Sequence, residues 1–244
     1  NDIPYGDNNM IDIHTHVLPG VDDGSPNIEE TKRLLEMSWK QGVTTIIATP
    51  HFSHHTDFTK LQERLKMTQE AAKNIDPKFK IYLGQEILYF EELTDWLDQG
   101  KALTLAGSRY VLVEFRPNDN FIRLSRAVRD LVSAGYLPIV AHIERYICLR
   151  EKGKTAELID YGAYLQMNAS SVLGGIFNRD ARWCRNEITE GRIHFVASDM
   201  HNVASRPPRM ADAWRKIGKN KGMLQKQIFW INQKYILRDK ILQR

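Results

Sequence analysis

Cysteine is scarce in this sequence: Cys148 and Cys184 are the only two among 244 residues. Two thiols cannot build a disulfide framework or a cysteine-based zinc site, so a reduced, cytoplasmic setting is expected. Long hydrophobic runs are missing as well. No apolar stretch approaches the roughly 20 residues that a membrane-spanning helix needs, so no membrane insertion is expected. No positively charged start leads into an apolar segment, which speaks against a secretory signal. A strong charge of one sign is also absent, since 34 Lys and Arg against 30 Asp and Glu leave +4. That mild excess suits an anionic substrate but not the dense basic face of a nucleic-acid binder. The densest basic stretch, Arg215 to Lys226 with Lys216, Lys219 and Lys221, reads as a solvated helix end and turn. No linker, composition shift or short repeat divides the chain, and no glycine-rich phosphate loop follows any apolar run.

What is present is a regular alternation. Hydrophobic residues make up 42 % of the chain, too many for disorder, and the length suffices for one domain with a sizeable core. Residues 1–9 are polar and turn-rich and read as an appended remnant ahead of Met10, leaving 10–244 as the domain. Seven apolar runs read as strands: Ile11–His16, Thr44–Thr49, Lys80–Glu86, Tyr110–Glu114, Leu137–His142, Tyr164–Asn168 and His194–Asp199. Their near-continuous hydrophobicity is that of parallel strands covered on both faces.

Segments with helical spacing lie between them. Ser25-Pro26 predicts an N-cap and first-turn proline, with Ile28, Leu35 and Trp39 on one face and Gly42 as the stop. Leu61, Leu65, Thr68, Ala72 and Ile75 form a stripe that ends before Pro77, and Ala127, Val128, Leu131 and Val132 form another before Gly135. Further helical patterns cover 90–98, 155–161, 176–190 and 209–241. Strand–helix alternation means a parallel sheet. A single-domain α/β fold, a distorted seven-stranded (β/α) TIM-like barrel, is expected, with a doubly wound open sheet as the alternative.

In such folds the chemistry gathers at the C-terminal ends of the strands. Polar residues here fall at those ends: His14 and His16 with Asp22 and Asp23 just beyond, His51, Glu86, Glu114, His142, and Asp199 with His201. The strand ending at Asn168 offers no strong ligand. His14 and His16 are two apart, so both point to one face of a strand, as do Asp199 and His201. An imidazole or carboxylate ending an apolar strand is costly to desolvate unless it is paired or coordinated. A lone His-x-His is a weak signal; six strand ends doing this together are not. Nine candidates (His14, His16, Asp23, His51, Glu86, Glu114, His142, Asp199 and His201) exceed the ligands of one ion and imply two or three. Imidazole with carboxylate and no thiolate favours manganese, iron or zinc. His54 and His55 read as solvent-facing or outer residues of a loop, and His194, at the opposite end of its strand, as structural. Arg145 and Arg206 lie on loops above the metals, where guanidinium forks suit two oxygens of a phosphate, the alternative being pairing with Glu144 or other outer carboxylates.

These motifs resemble a known family. Met10-Ile-Asp-Ile-His-Thr-His, Val21-Asp-Asp-Gly24, Ala48-Thr-Pro-His51, Gly84-Gln-Glu86, Leu112-Val-Glu-Phe115, Ala141-His-Ile-Glu-Arg145 and Ala197-Ser-Asp-Met-His-Asn202 are similar to the PHP-domain, manganese-dependent bacterial protein tyrosine phosphatases of capsule and exopolysaccharide operons. The resemblance covers the chain from Met10 onward. It implies a distorted (β/α)7 barrel and a trinuclear site, with the same nine residues as ligands and Arg145 and Arg206 holding the substrate phosphate. It prefers Asp23 over Asp22, a choice the residues alone leave open. Mn²⁺ is the cofactor it implies, with Fe, Zn, Co and Mg compatible, and the partner it implies is a phosphotyrosine protein, a bacterial tyrosine kinase. Met200 departs from the Ala that many relatives carry.

The reaction expected is hydrolysis of a phosphotyrosine ester by metal-activated water. The cysteine-based alternative needs an Arg six positions after its nucleophile, where Cys148 has Lys154 and Cys184 has Glu190. A PHP-type phosphoesterase acting on a small-molecule phosphate such as histidinol phosphate, or on nucleic acid, is the alternative. A metal amidohydrolase would need a carboxylated Lys where Glu114 stands. An idle scaffold would be free to lose ligands, and none is missing.

Overall fold

The short β-branched runs form parallel strands, each aimed at the same end of the molecule. The computed structural model describes residues 9–175, 177–218, 229 and 232–242. Residues 1–8 of the expected remnant, Lys219, Lys221 and Lys226 of the basic stretch, and much of the 209–241 helical pattern lie outside the described residues. The strands are β1 (Met10–Thr15), β2 (Val43–Ala48), β3 (Lys80–Leu83), β4 (Glu86–Leu88), β5 (Tyr110–Glu114), β6 (Leu137–Val140), β7 (Tyr164–Asn168) and β8 (Phe195–Ala197). They pair in parallel as β1-β2-β3 and β4-β5-β6-β7-β8. Backbone hydrogen bonds join the two sheets. Asp199 N–H donates to His14 O and His16 N–H to Met200 O, both at 2.9 Å, so the end of β8 lies beside β1. Phe52 N–H donates to Glu86 O at 2.8 Å, so the chain leaving β2 lies beside β4.

One strand differs from expectation. The run Lys80–Glu86 is broken at Gly84-Gln85, and Glu86 opens β4 rather than ending β3. The reason is a change of neighbour: Leu83 pairs with Ala48 of β2, whereas Glu86 pairs with Leu112 of β5. Gly84 is pressed against Leu105, where a Cβ would lie 2.7 Å from Cδ2, and the Gln85 side chain turns aside to accept from Leu103 N–H at 2.9 Å.

The helices cover one face of the strands: α1 (Ile28–Lys40), α2 (Phe58–Ile75), α3 (Leu93–Asp98), α4 (Phe121–Ser133), α5 (Lys154–Asp160), α6 (Arg179–Thr189) and α7 (Met210–Gly218). The expected α2 stripe is buried at Leu61, Thr68 and Ala72. The α1 cap is Asn27, whose side chain accepts from Glu30 N–H, not Ser25. Ser25 is committed elsewhere, donating its hydroxyl to Asn27 O at 2.9 Å and lying 2.8 Å from Thr31 Oγ1. Cys184 is buried on α6, and burial pushes its thiol up to about 12, so it is inert as a nucleophile at neutral pH.

Alternation along the strands separates two cores. Ile87, Val111, Val113, Val140, Leu165 and Val196 pack with the helices, whereas Ile11, Ile13, Ile47, Leu112, Ile139 and Phe195 fill the opposite face. At the N-terminal strand ends that second core is sealed by the last described residues of the chain. Tyr110 and Tyr164 donate their phenol O–H groups to Lys240 O and Leu242 O, each at 2.8 Å. The C-terminal strand ends are left to the polar residues. No helix among the described residues is long and apolar enough to cross a membrane.

Candidate metal centre

The nine strand-end candidates converge. Glu86 is the hub. Its Oε2 lies 3.2 Å from His14 Nε2, 3.1 Å from His16 Nε2 and 3.2 Å from His51 Nδ1, and its Oε1 lies 2.7 Å from His142 Nε2. Glu114 reaches His51 Nδ1 at 3.3 Å and His142 Nε2 at 3.4 Å. Asp199 Oδ1 is 3.5 Å from both His14 and His16 Nε2. Three groupings have donor atoms all within 4.8 Å of one another: His16-Asp23-His51-His201, His14-His16-Glu86 and His51-Glu86-Glu114. His16, His51 and Glu86 each belong to two of them, as groups shared between neighbouring ions would.

The sequence left Asp22 and Asp23 unresolved, and the structure separates their places. Asp23 Oδ1 faces inward, 3.3 Å from His51 Nε2 and 3.4 Å from His201 Nε2. Asp22 stands behind, with Oδ2 2.7 Å from His16 Nδ1 and accepting the His51 N–H at 3.0 Å. Its acidity follows: burial would raise the carboxyl, but the His16 hydrogen bond and charge overcome this and hold it at about 2. Gly24 makes this turn possible. A Cβ there would fall 2.1 Å from His16 O.

Four of the five inward imidazoles, all but His51, have an outer partner, which for His16 is Asp22. His14 Nδ1 is 3.1 Å from Gln166 Oε1, His142 Nδ1 is 3.2 Å from the Tyr146 hydroxyl, and His201 Nδ1 is 3.0 Å from the Asp199 carbonyl oxygen. Where Nδ1 donates in such a bond, the Nε2 lone pair is left free, the arrangement of metal-binding histidines. Gln166, Asn168 and Tyr146 were not singled out in the sequence. The available signal was on β7, where Tyr164, Gln166 and Asn168 alternate onto one face of an otherwise apolar run. Gln166 Oε1 also accepts the His142 N–H at 2.8 Å, and Asn168 Nδ2 donates to Asp199 Oδ2 at 2.7 Å.

Two of the nine sit on strained backbone. His142 has φ 32° and Asp199 φ 52°, the left-handed region that residues with a Cβ seldom adopt. Strain of this kind persists where surrounding contacts over-determine the residue, and functional side chains are where it collects. Both turn sharply off the ends of their strands into the cluster.

The residues present fit divalent cations on three observations. His201 Nε2 is buried without a hydrogen-bond partner, an orphaned acceptor aimed at Asp23. The donors are imidazole and carboxylate only. The site also craves positive charge. Burial lowers the His14 imidazole, but Glu86 and Asp199 overcome this and raise it to about 10; His51 is likewise raised to about 9 by Glu114 and Glu86 against burial. His201 goes the other way, to about 4, because burial and the neighbouring His16 charge both disfavour its proton.

A test follows from those directions. Both raised groups sit above the ordinary 6.5, so without metal their contribution to stability is complete below about pH 6.5 and fades as pH rises through 9 and 10. At pH 7.5 both hold protons that a cation must displace. Titrating chelator-treated protein with Mn²⁺ in weak buffer at pH 7.5 is expected to release protons, with His14 and His51 among their sources. Uptake with no proton release would contradict coordination by these imidazoles.

Above the cluster, Arg145 and Arg206 converge on a single atom. Each donates from Nη2 to Asp199 Oδ2 at 2.7 Å, and both side chains remain about 40 % exposed (41 % and 37 %). Arg145 does not pair with Glu144, which instead accepts from Asn168 N–H and from the Ser171 hydroxyl. The other histidines stand apart. His54 packs against Phe90 and Trp96 at 4.7 and 4.9 Å between ring centroids, His55 is exposed in its loop, and His194 accepts the Leu165 N–H through Nδ1 at 3.0 Å.

Residues 10–238 match the CpsB/CapC family of capsular polysaccharide synthesis. The chain belongs to that family. It is 35 % identical over 243 residues to the tyrosine-protein phosphatase CpsB of Streptococcus pneumoniae, covering 96 % of this chain and 100 % of that protein. Tyrosine-protein phosphatase YwqE of Bacillus subtilis is 32 % identical over 241 residues, covering 96 % and 94 %. Among solved structures, one from a study of B. subtilis YwqE and S. pneumoniae CpsB, described as unique metal-dependent tyrosine phosphatases, matches this CpsB/CapC chain with a TM-score of 0.89. The identity is 29 %, over 96 % of this chain and 97 % of that one. An organophosphorus hydrolase mutant from Deinococcus radiodurans shares the fold alone, with a TM-score of 0.60 and 10 % identity over 95 % and 93 % of the two chains.

Proposed function

We propose that this CpsB/CapC chain is a metal-dependent protein tyrosine phosphatase whose centre is built by His14, His16, Asp23, His51, Glu86, Glu114, His142, Asp199 and His201, holding two or three ions. Tyrosine-phosphatase activity is what its curated relatives carry by name, over essentially their full length. The observation that carries the site assignment is the meeting of Arg145 and Arg206 at one oxygen of Asp199, directly above the convergent imidazoles and carboxylates. Mn²⁺ is the ion proposed, and a phosphorylated bacterial tyrosine kinase of the cytoplasm is the proposed substrate protein. The strands are read as seven staves of a distorted barrel, with β3 and β4 as one broken stave; the hydrogen bonds of β1 to the end of β8 and of β4 to the end of β2 support that closure.

When bound, divalent ions would supply Lewis acidity and lower the pKa of a water toward neutrality. The chain supplies the rest. Asp199 holds the two guanidinium forks over the centre, so they meet a phosphoryl group without first being ordered. Five donors in each fork suit two oxygens of a phosphate, and their charge offsets that of the transition state. Gln166 and Asp22 keep His14 and His16 oriented while the substrate exchanges. The leaving group is a phenolate of pKa about 10, which departs with less protonation than an alkoxide needs. No covalent phosphoenzyme is expected, because burial pushes both thiols up, that of Cys184 to about 12, and disfavours the thiolate.

The test is differential inactivation. Phosphotyrosine-peptide hydrolysis is expected to vanish with a chelator, return with Mn²⁺, and survive thiol alkylation. Activity that ignores the chelator and dies on alkylation would overturn the mechanism.

A further inference from the structure

We infer that the rim beside the candidate metal centre carries a second, anion-selective subsite, at Arg116 and Leu88, for an acidic side chain flanking the phosphotyrosine of the substrate chain. The inference rests on the phosphatase reading above and names the class of peptide that this site would prefer.

The residues follow from alternation. On β4, Glu86 points into the centre and Ile87 into the helix-covered core, so Leu88 returns to the Glu86 face; there it is 42 % exposed. Leu88 pairs with Glu114 on β5, and Arg116 lies two residues beyond Glu114, past the buried Phe115. Two residues of extended chain advance about 7 Å. Leu88 and Arg116 thus continue outward the lines that Glu86 and Glu114 begin, each one step beyond its carboxylate. A cavity of about 300 Å³ opens there, lined by Leu88, Tyr89, Arg116, Asp119 and Arg123.

The charges in it are not equivalent. Arg123 is committed: it donates to Glu91 at 2.8 Å and to Tyr89 O at 3.1 Å, lies 3.7 Å from Asp119, and covers the Tyr89 ring. Asp119 is answered by that guanidinium and by the Arg116 N–H at 2.9 Å. The Arg116 guanidinium itself pairs with no carboxylate among the described residues and is exposed. A free cation over an apolar floor, on the same rim as Arg145 and Arg206, suits a carboxylate or a second phosphoryl group whose stem rests on Leu88. The net charge of +4 favours an acidic peptide as well.

The experiment compares kcat/KM on two phosphotyrosine peptides differing only in having acidic or neutral residues beside the phosphotyrosine, for wild type, Arg116→Ala and Arg116→Lys, all Mn²⁺-loaded. One half-exposed ion pair is worth up to about a fivefold preference. The wild type is expected to favour the acidic peptide by about that ratio, mostly through KM, and the preference should shrink as salt rises. Arg116→Ala should bring the ratio to about one, and Arg116→Lys should keep part of it. Hydrolysis of both peptides with no acidic preference, or a preference that Arg116→Ala leaves in place, overturns the subsite and leaves the phosphatase reading standing. Hydrolysis of neither peptide by any variant, with metal bound, overturns both.

Discussion

Glu86→Ala is expected to abolish phosphotyrosine-peptide hydrolysis, lowering kcat/KM by on the order of 10³-fold or more, about 4 kcal/mol of transition-state stabilisation. No other carboxylate of the cluster approaches as many imidazoles. Its two oxygens approach four imidazoles, those of His14, His16, His51 and His142, and it belongs to two of the three donor groupings. Removing it would take a donor from two of the three donor groupings and leave a buried void ringed by imidazoles that face one another, with His14 and His16 Nε2 only 3.3 Å apart. Without the carboxylate these rings lose the partner that raises their proton affinity, so the metal-free variant should also fold less stably at neutral pH. Metal analysis after dialysis is expected to find at least one ion fewer than in wild type. A variant that keeps both its metal content and its activity would show that Glu86 is not the hub.

Arg145→Ala and Arg206→Ala should each lower kcat/KM by roughly 10²-fold, the size of one lost preorganised donor, while metal content stays normal. The double variant is expected to fall short of the product of the two. Both guanidinium groups meet at Asp199 Oδ2, so removing one releases the other, and coupled positions do not add. The carboxyl of Asp199 is held well below its usual range, with burial opposing and His14 prominent among the charges that offset it, so the anchor stays ionised in either single variant. Vanadate binding by the singles separates the roles. An arginine whose loss leaves vanadate affinity unchanged does not hold phosphate.

How far the sequence could be read differs from element to element. The strands were legible because parallel strands covered on both faces are apolar almost throughout, and a polar residue closing such a run stands out. That contrast is why His14, His16, Glu114, His142 and Asp199 could be picked without coordinates. The broken stave was not legible: Lys80–Glu86 reads as one run, and only the handover from β2 to β5 reveals the break at Gly84. Asn27 as the α1 cap was hidden because Ser25 is an equally good cap type, and only the fold shows the Ser25 hydroxyl donated to Asn27 O instead. The left-handed backbone of His142 and Asp199 has no sequence signature, since neither is glycine. Outer partners such as Gln166 and Tyr146 were missed for a related reason. Gln166 acts through a hydrogen bond to an imidazole of another strand and Tyr146 through one to His142 four residues before it, and neither residue type marks such a bond at a single chain position.

The centre itself is open to direct observation by anomalous diffraction at the manganese edge, from a crystal of the full chain soaked with Mn²⁺ and phosphate. Two or three peaks are expected, each bounded by one of the groupings around His16, Glu86 and His51, with phosphate oxygens between the ions and the guanidinium groups of Arg145 and Arg206. A fully soaked crystal in which manganese scatters elsewhere, or not at all, while these nine side chains pair only with one another would contradict the account.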